Sequence, residues 1–167
     1  MYITKRTYDV VQYSQLVTKL KSNLRITSDD FDYELRNKLD AAIASAENFI
    51  GKVIVMSVIE ADFEFSERLP LLKPFISLGS VSLDGDVLTE GTDYTLTRGV
   101  LTFGDGVEGE TVGVVLEAGW ARIPDDVQAA IILHASALFN NPVDSVETLP
   151  KASDNLLRPY RSWGLGK

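Results

Sequence analysis

The sequence predicts an α+β fold, mainly helical, with three main helices, a short C-terminal one, and an antiparallel β-meander inserted between helices two and three. Three observations carry that expectation. Apolar residues recur at three-and-four spacing in two N-terminal stretches and in one near the C-terminus, the mark of one helix face. Between about residues 53 and 118 the period falls to two, and Gly/Asp turns punctuate it. A length of 167 residues with 45% hydrophobic content suits one domain, residues 1–167, with a real core.

The first helix is expected over about 10–24, where Tyr13, Leu16, Val17, Leu20 and Leu24 paint one stripe. The second, over about 28–51, opens with Thr27 or Ser28 as N-cap and with Asp29, Asp30 and Asp32 at the positive end of the helix dipole. Phe31, Leu35, Leu39, Ala42, Ala46, Phe49 and Ile50 share its apolar face, and Gly51 supplies the stop. In 58-VIEADFEFSE-67, Ala61, Phe63 and Phe65 alternate with Glu60, Asp62 and Glu64, giving one buried and one wet strand face. Turns at 84-DGD, 90-EGTD, 98-RG and 104-GDGVEGE separate the short strands that follow. The third helix, about 124–140, begins with Pro124 at its first position and Asp125 and Asp126 behind it, and ends at 140-NNP. A C-terminal docking segment, about 153–163, offers only a short helix, because Pro159 disfavours helical geometry at Arg158.

Composition removes several classes of function. With no cysteine and one histidine, disulfides, thiolate catalysis and cysteine-ligated zinc are excluded, leaving calcium or magnesium as the only plausible metals. No run approaches the ~18 apolar residues of a membrane span, and the N-terminus lacks a signal-like apolar core, so no membrane partner is expected. Sixteen basic against 24 acidic residues give a net charge of −8, a poor basis for gripping nucleic acid through its phosphates. The basic arm of Lys5, Arg6, Lys19, Lys21 and Arg25 reads as a solvated helix face.

Candidate chemistry is sparse. His134 lies on a helix apolar nearly all round, with only Ser136 and aliphatics at neighbouring positions, and reads as a packed or interface residue rather than a base. Asp84, Asp86, Glu90 and Asp93 lack the alternate spacing and closing glutamate of a calcium loop, and hairpin turns explain them. The stretch 104-GDGVEGE-110 lacks the Lys-Ser/Thr of a P-loop and is acidic where phosphate would sit. No catalytic residue, cofactor site or metal site is therefore expected, and the chain is read as not an enzyme. Leu156, Leu157, Tyr160 and Trp163, on a segment too short to fold alone, must dock on this core or on a partner. A small ligand- or calcium-binding β-meander module is the alternative, and an enzyme built on His134 comes third.

The order of these features resembles a known family. Two N-terminal helices, the second in 29-DDFDYELRNKLDAAIASAENFIGK-52, lead to 68-RLPLLKPFISLGSVSLDG-85 and 90-EGTDYTLTRGVLTF-103. The join 117-EAGWARIPDDVQAAIILHASALFNN-141 and the closing 156-LLRPYR-161 follow. Nearly the whole chain is thus similar to the head–tail connector, or head-completion adaptor, proteins of long-tailed bacteriophages and prophages. The resemblance implies a structural virion protein at the head–tail junction, present in the host cytoplasm during assembly. It would form a homo-oligomeric ring beneath the portal protein, meet a tail-stopper or tail-completion protein below, and let double-stranded DNA pass without sequence-specific binding. A lumen lined with acids from the 26–117 stretch would repel the DNA backbone.

Overall fold

The computed structural model describes residues 1–141 and 150–162. Among them are four α-helices, one 3-10 turn and eight strands, so α+β holds but helices do not dominate. The chain divides into two compact units, one of Met1–Asp9 with Met56–Trp120, the other of Val10–Val55 with the described part of Ala121–Lys167.

The first unit is β. Its larger sheet, in the order β1-β2-β8-β4-β5, comprises β1 (Tyr2–Tyr8), β2 (Ser57–Glu64), β8 (Thr111–Ala118), β4 (Phe75–Leu83) and β5 (Asp86–Val87). The smaller, β3-β7-β6, comprises β3 (Arg68–Pro70), β7 (Val100–Phe103) and β6 (Tyr94–Thr97). All strand pairs are antiparallel. A meander would put sequential strands side by side; instead β8, last in the chain, lies between β2 and β4. The central strands gain backbone pairing on both sides that way, which local sequence does not encode. The N-terminal strand β1 was not expected either. Its Tyr, Ile and Thr residues favour extended backbone, but the strand is exposed or half-exposed throughout and so lacks the in-out alternation that marks a buried face.

The alternation expected near residue 60 is present. Ile59, Ala61 and Phe63 are buried while Glu60, Asp62 and Glu64 lie on the other face, and Val112, Val114, Leu116 and Ala118 continue the buried face on β8. Two predicted turns close two-residue hairpins: Asp84 and Gly85 have φ of 51° and 98°, Arg98 and Gly99 of 52° and 73°. Positive φ at both central residues is what a type I′ hairpin requires.

The second unit is helical. It contains α1 (Val10–Leu24), α2 (Asp32–Ile50), α3 (Asp125–Asn140) and α4 (Lys151–Leu157), followed by the 3-10 turn Arg158–Tyr160. Leu16, Leu20, Leu35, Leu39, Ile43, Ile50, Ile131 and Leu157 form its fully buried centre. The helix ends refine the sequence reading. Neither Thr27 nor Ser28 caps α2; Phe31 stands at its N-cap with no side-chain bond, and a turn closed by Asp32 N–H to Asp29 O precedes it. Asp29 instead joins Asp32 in accepting from Lys21 Nζ, both at 2.7 Å. Gly51 stops α2 with φ +70°, as expected. Pro124 sits one residue earlier than expected, at the N-cap of α3, its carbonyl accepting from Gln128 N–H at 2.9 Å. Arg158 is helical (φ −52°, ψ −41°) despite preceding Pro159, since the guanidinium–carboxylate pair Arg158–Asp154 at 2.7 Å spans the turn and Pro159 falls among its first residues. The basic arm is not one helix face: Lys5 and Arg6 lie on β1, Lys19 and Lys21 on α1.

Candidate functional site

Four of the sequence features have a definite place. His134 is 5% exposed in the middle of α3, and burial pushes its pKa down. Its Nδ1 is buried with no hydrogen-bond partner among the described residues. A general base needs a partner that orients one ring nitrogen and a path to substrate from the other. The neighbouring Ser136 hydroxyl is engaged elsewhere, accepting from Asn23 Nδ2 at 2.8 Å. The arrangement is one of packing.

Two of the acids at the hairpin tips hold backbone N–H groups. Asp84 accepts from the backbone N–H groups of Glu110 and Thr111, the latter at 2.8 Å, and Asp93 accepts from Thr89 N–H at 2.7 Å. Among the described residues, no group of three or more His, Cys, Asp or Glu side chains could hold a metal ion.

The C-terminal segment is bound to its own unit. Leu157 is fully buried, Leu156 is half-buried, and Ser153, also fully buried, donates to Ala130 O on α3 at 3.0 Å. Tyr160 Oη donates to the Asp126 carboxylate, 2.8 Å from each oxygen, which raises the phenol pKa. Lys52 Nζ donates to Tyr160 O, and Ser162 N–H to Ile50 O at 2.8 Å. Of the proposed docking residues, Leu157 is spent on the core, Leu156 and Tyr160 keep partly open faces, and Trp163 lies outside the described residues. Asp126 belongs to the IPDD join and Tyr160 to LLRPYR, so two of the stretches in the resemblance are bonded to each other. Neither the Tyr160–Asp126 bond nor the Ser153 tie was foreseen, for both link positions more than twenty residues apart in sequence.

The open face of the larger sheet is acidic. Cross-strand register places Glu60, Asp62 and Glu64 of β2 beside Val115, Gly113 and Thr111 of β8, with Glu117 opposite Val58. Lys5 pairs with Glu60 at 2.9 Å on that face. In the helical unit, a polar groove of about 330 Å³ is lined by Gln12, Gln15, Lys19, Arg122 and Gln128. Its own side chains bridge it, Lys19 Nζ to Gln128 Oε1 at 2.5 Å and Gln12 Nε2 to Ala121 O at 3.1 Å.

These features define a class: an α+β chain that offers surfaces and gathers no reactive groups among its described residues. No protein-family model matches the chain, and no curated protein does. Solved structures do. The chain is similar to one in the neck of an empty gene transfer agent (GTA) particle computed with C6 symmetry, with a TM-score of 0.71 and 18% identity, over 95% of this chain and 96% of that one. It is likewise similar to one in the neck of the native particle computed with C12 symmetry (TM-score 0.68, 17% identity, 97% and 96% covered). A third, from the virion of the native particle, gives a TM-score of 0.67 at 17% identity, with 95% and 96% covered. The fold is that of these neck chains, consistent with the head–tail connector family that the motifs resemble.

Proposed function

We propose that this chain is a structural subunit of a phage-like head–tail neck, its two compact units working as one connector domain. The observation that carries the reading is the shared fold with neck chains over nearly the full length of both partners. On this reading the subunits form a closed ring beneath the portal protein, receive a tail-stopper or tail-completion protein below, and continue the channel for double-stranded DNA. Formation takes place in the host cytoplasm and the product resides in the virion. The cyclic symmetry of the similar necks supports a ring, and a ring needs two different, mutually complementary patches on each subunit.

The exposed face of α4 and the 3-10 turn, with Leu156 and Tyr160, is the segment we assign to portal or neighbour docking. Trp163 completes the assignment from sequence. The acidic sheet face suits a lumen. Carboxylates repel the DNA phosphates, so DNA slides, the reverse of the counterion-releasing contacts that hold it. Purified protein mixed with portal rings and imaged by electron microscopy tests the reading. A ring capping the portal is expected; a monomer that never joins the portal overturns it. Reversing Glu60, Asp62 and Glu117 to lysine should slow DNA passage, and unchanged ejection would remove the sheet face from the lumen.

A further inference from the structure

The larger sheet has two unlike open edges. At one end β1 has β2 on a single side. At the other, β5 pairs only with Ser82 and Leu83, so among the described residues no strand lies beside Ile76–Ser80 on the outer side of β4. Backbone N–H and C=O groups along such edges are templates for another strand. Apolar exposure accompanies both: Tyr2 is 73% and Ile76 41% exposed.

We propose that β1 of one copy pairs with the open stretch of β4 of the next copy, so that the sheets join head to tail around the assembly. This rests on the ring reading above. Three observations select that occupant. First, the run β1-β2-β8-β4 is antiparallel at every step. With four alternating strands, β4 opposes β1 in direction, so a copy related by rotation about the ring axis brings its β1 beside β4 antiparallel. Second, the open stretches are comparable in length, seven residues in β1 and five from Ile76 to Ser80, the latter carrying register shifts between Phe75 and Ser77 and between Leu78 and Ser80. Third, the edges differ in charge. Lys5 and Arg6 are the only charged residues of β1, Lys5 pairing with Glu60 on the neighbouring β2, whereas β4 is uncharged, with Glu117 on β8 and Asp84 and Asp86 at its hairpin and no basic residue on β4, β5 or β8. Two β1 edges would set the like-charged Lys5 and Arg6 side chains against each other, whereas β1 on β4 sets them beside an uncharged strand backed by Glu117. An isologous dimer is thereby disfavoured and the heterologous contact of a ring favoured. The bulge between Ile3 and Lys5, and Lys5 itself, are devices that guard an edge against indiscriminate pairing. They leave Lys5–Tyr8 regular for a partner of the right charge.

The chain has no cysteine, so introduced thiols report adjacency cleanly. Thr7, Ser77 and Ser80 are exposed, and their strands place them on the open sheet face. The full chain carrying Thr7→Cys with Ser77→Cys, or Thr7→Cys with Ser80→Cys, is assembled with portal rings and mildly oxidised. Directly opposed cross-strand cysteines approach to about the 4 Å Cβ separation a disulfide needs. A ladder of thiol-sensitive covalent oligomers is expected from at least one pair. Its yield should exceed that of any single-cysteine chain at least about tenfold, because neighbouring thiols reach millimolar effective concentration. Rings visible by electron microscopy with no ladder from either pair overturn the edge pairing and leave the ring standing. Dimers from Thr7→Cys alone overturn it in favour of like edges meeting. A chain that forms no ring on the portal overturns both readings.

Discussion

Truncating Leu157 to alanine tests whether the C-terminal segment is part of the helical core. Only Ser153 and Leu157 of the seven α4 residues are buried, so Leu157 supplies nearly all the apolar contact that holds the helix. A seven-residue helix does not persist alone in water, because nucleation costs more than so few backbone bonds return. Leu157 is 0% exposed, and fully buried Leu→Ala changes cost about 2–4 kcal/mol from lost transfer energy plus the cavity left behind. With a urea dependence of roughly 2 kcal/mol per molar, the unfolding midpoint should fall by about 1–2 M, read by far-ultraviolet circular dichroism. Leu156→Ala, at a half-buried site, should move it by less than about 0.5 M. The pair separates two jobs: Leu157→Ala should weaken the fold, and Leu156→Ala should weaken portal or neighbour binding with the fold intact. A Leu157→Ala midpoint within about 0.3 M of the parent would refute the reasoning, since a well-packed leucine cannot be truncated at so small a cost.

Three further outcomes follow from single groups. His134 is the only histidine, and its folded pKa lies below the ordinary 6.5, so the unfolded chain takes up a proton that the folded chain resists. Its contribution to stability is full above pH 6.5 and is lost as pH falls through the lowered folded value. His134→Leu should flatten the melting temperature as pH falls below 6.5 and, by removing the unpartnered Nδ1, raise neutral-pH stability by about 1 kcal/mol; an unchanged pH slope would contradict this. Tyr160 carries a raised pKa because its proton is held by Asp126, so its contribution is present below pH 10.0 and lost as pH rises through the folded value. Tyr160→Phe should reduce the alkaline loss in a thermal melt, the buried Tyr94, whose pKa is also raised, keeping its share, and an undiminished loss would contradict the assignment. Gly51→Ala should cost about 1 kcal/mol in urea unfolding through backbone strain at φ +70°, since the new Cβ would sit 3.7 Å from Ser162 Cβ in ordinary contact; a neutral result would show the C-cap relaxing.

What was legible in the sequence was local. The span of α1 and the αL stop of α2 follow from apolar spacing and Gly51, and both type I′ hairpins from Asp84-Gly85 and Arg98-Gly99. These are decided within a few residues by sterics and burial. The strand order was not legible, because β8 takes its place between β2 and β4 through pairings whose register no short window contains. Strand β1 escaped because edge strands, wet on both faces, lose the period-two signal. The α2 start was misplaced for another reason: Asp29, a fair capping residue, is drawn to Lys21, a contact eight residues back in the chain.

The same distinction explains why an order of short stretches resembles a family where overall identity with the neck chains is only 17–18%. Core positions such as Leu39, Ile131 and Leu116 ask only for an apolar side chain of about the right volume, and whole sets can exchange while the fold persists. On the proposed reading as a structural subunit, there are no reacting atoms to hold in place, so no catalytic residue would anchor a recognisable pattern. Positions with geometric demands remain. Gly119 has φ +123° and donates its N–H to Pro74 O at 2.9 Å, a backbone that a residue with Cβ rarely adopts. Pro124 sets the entry to α3, and Asp126 must meet the Tyr160 hydroxyl across the unit. Those residues fall in AGWARIPDD and LLRPYR, two of the stretches whose order carries the resemblance. If geometry at the join is the constraint, Gly119→Ala and Asp126→Asn should lower the thermal stability of the chain. Equally conservative swaps at the fully buried positions, such as Ile131→Leu, should cost less than about 1.5 kcal/mol. A ranking in the opposite order, read from urea midpoints of the three variants, would mean that packing and not geometry fixes these motifs.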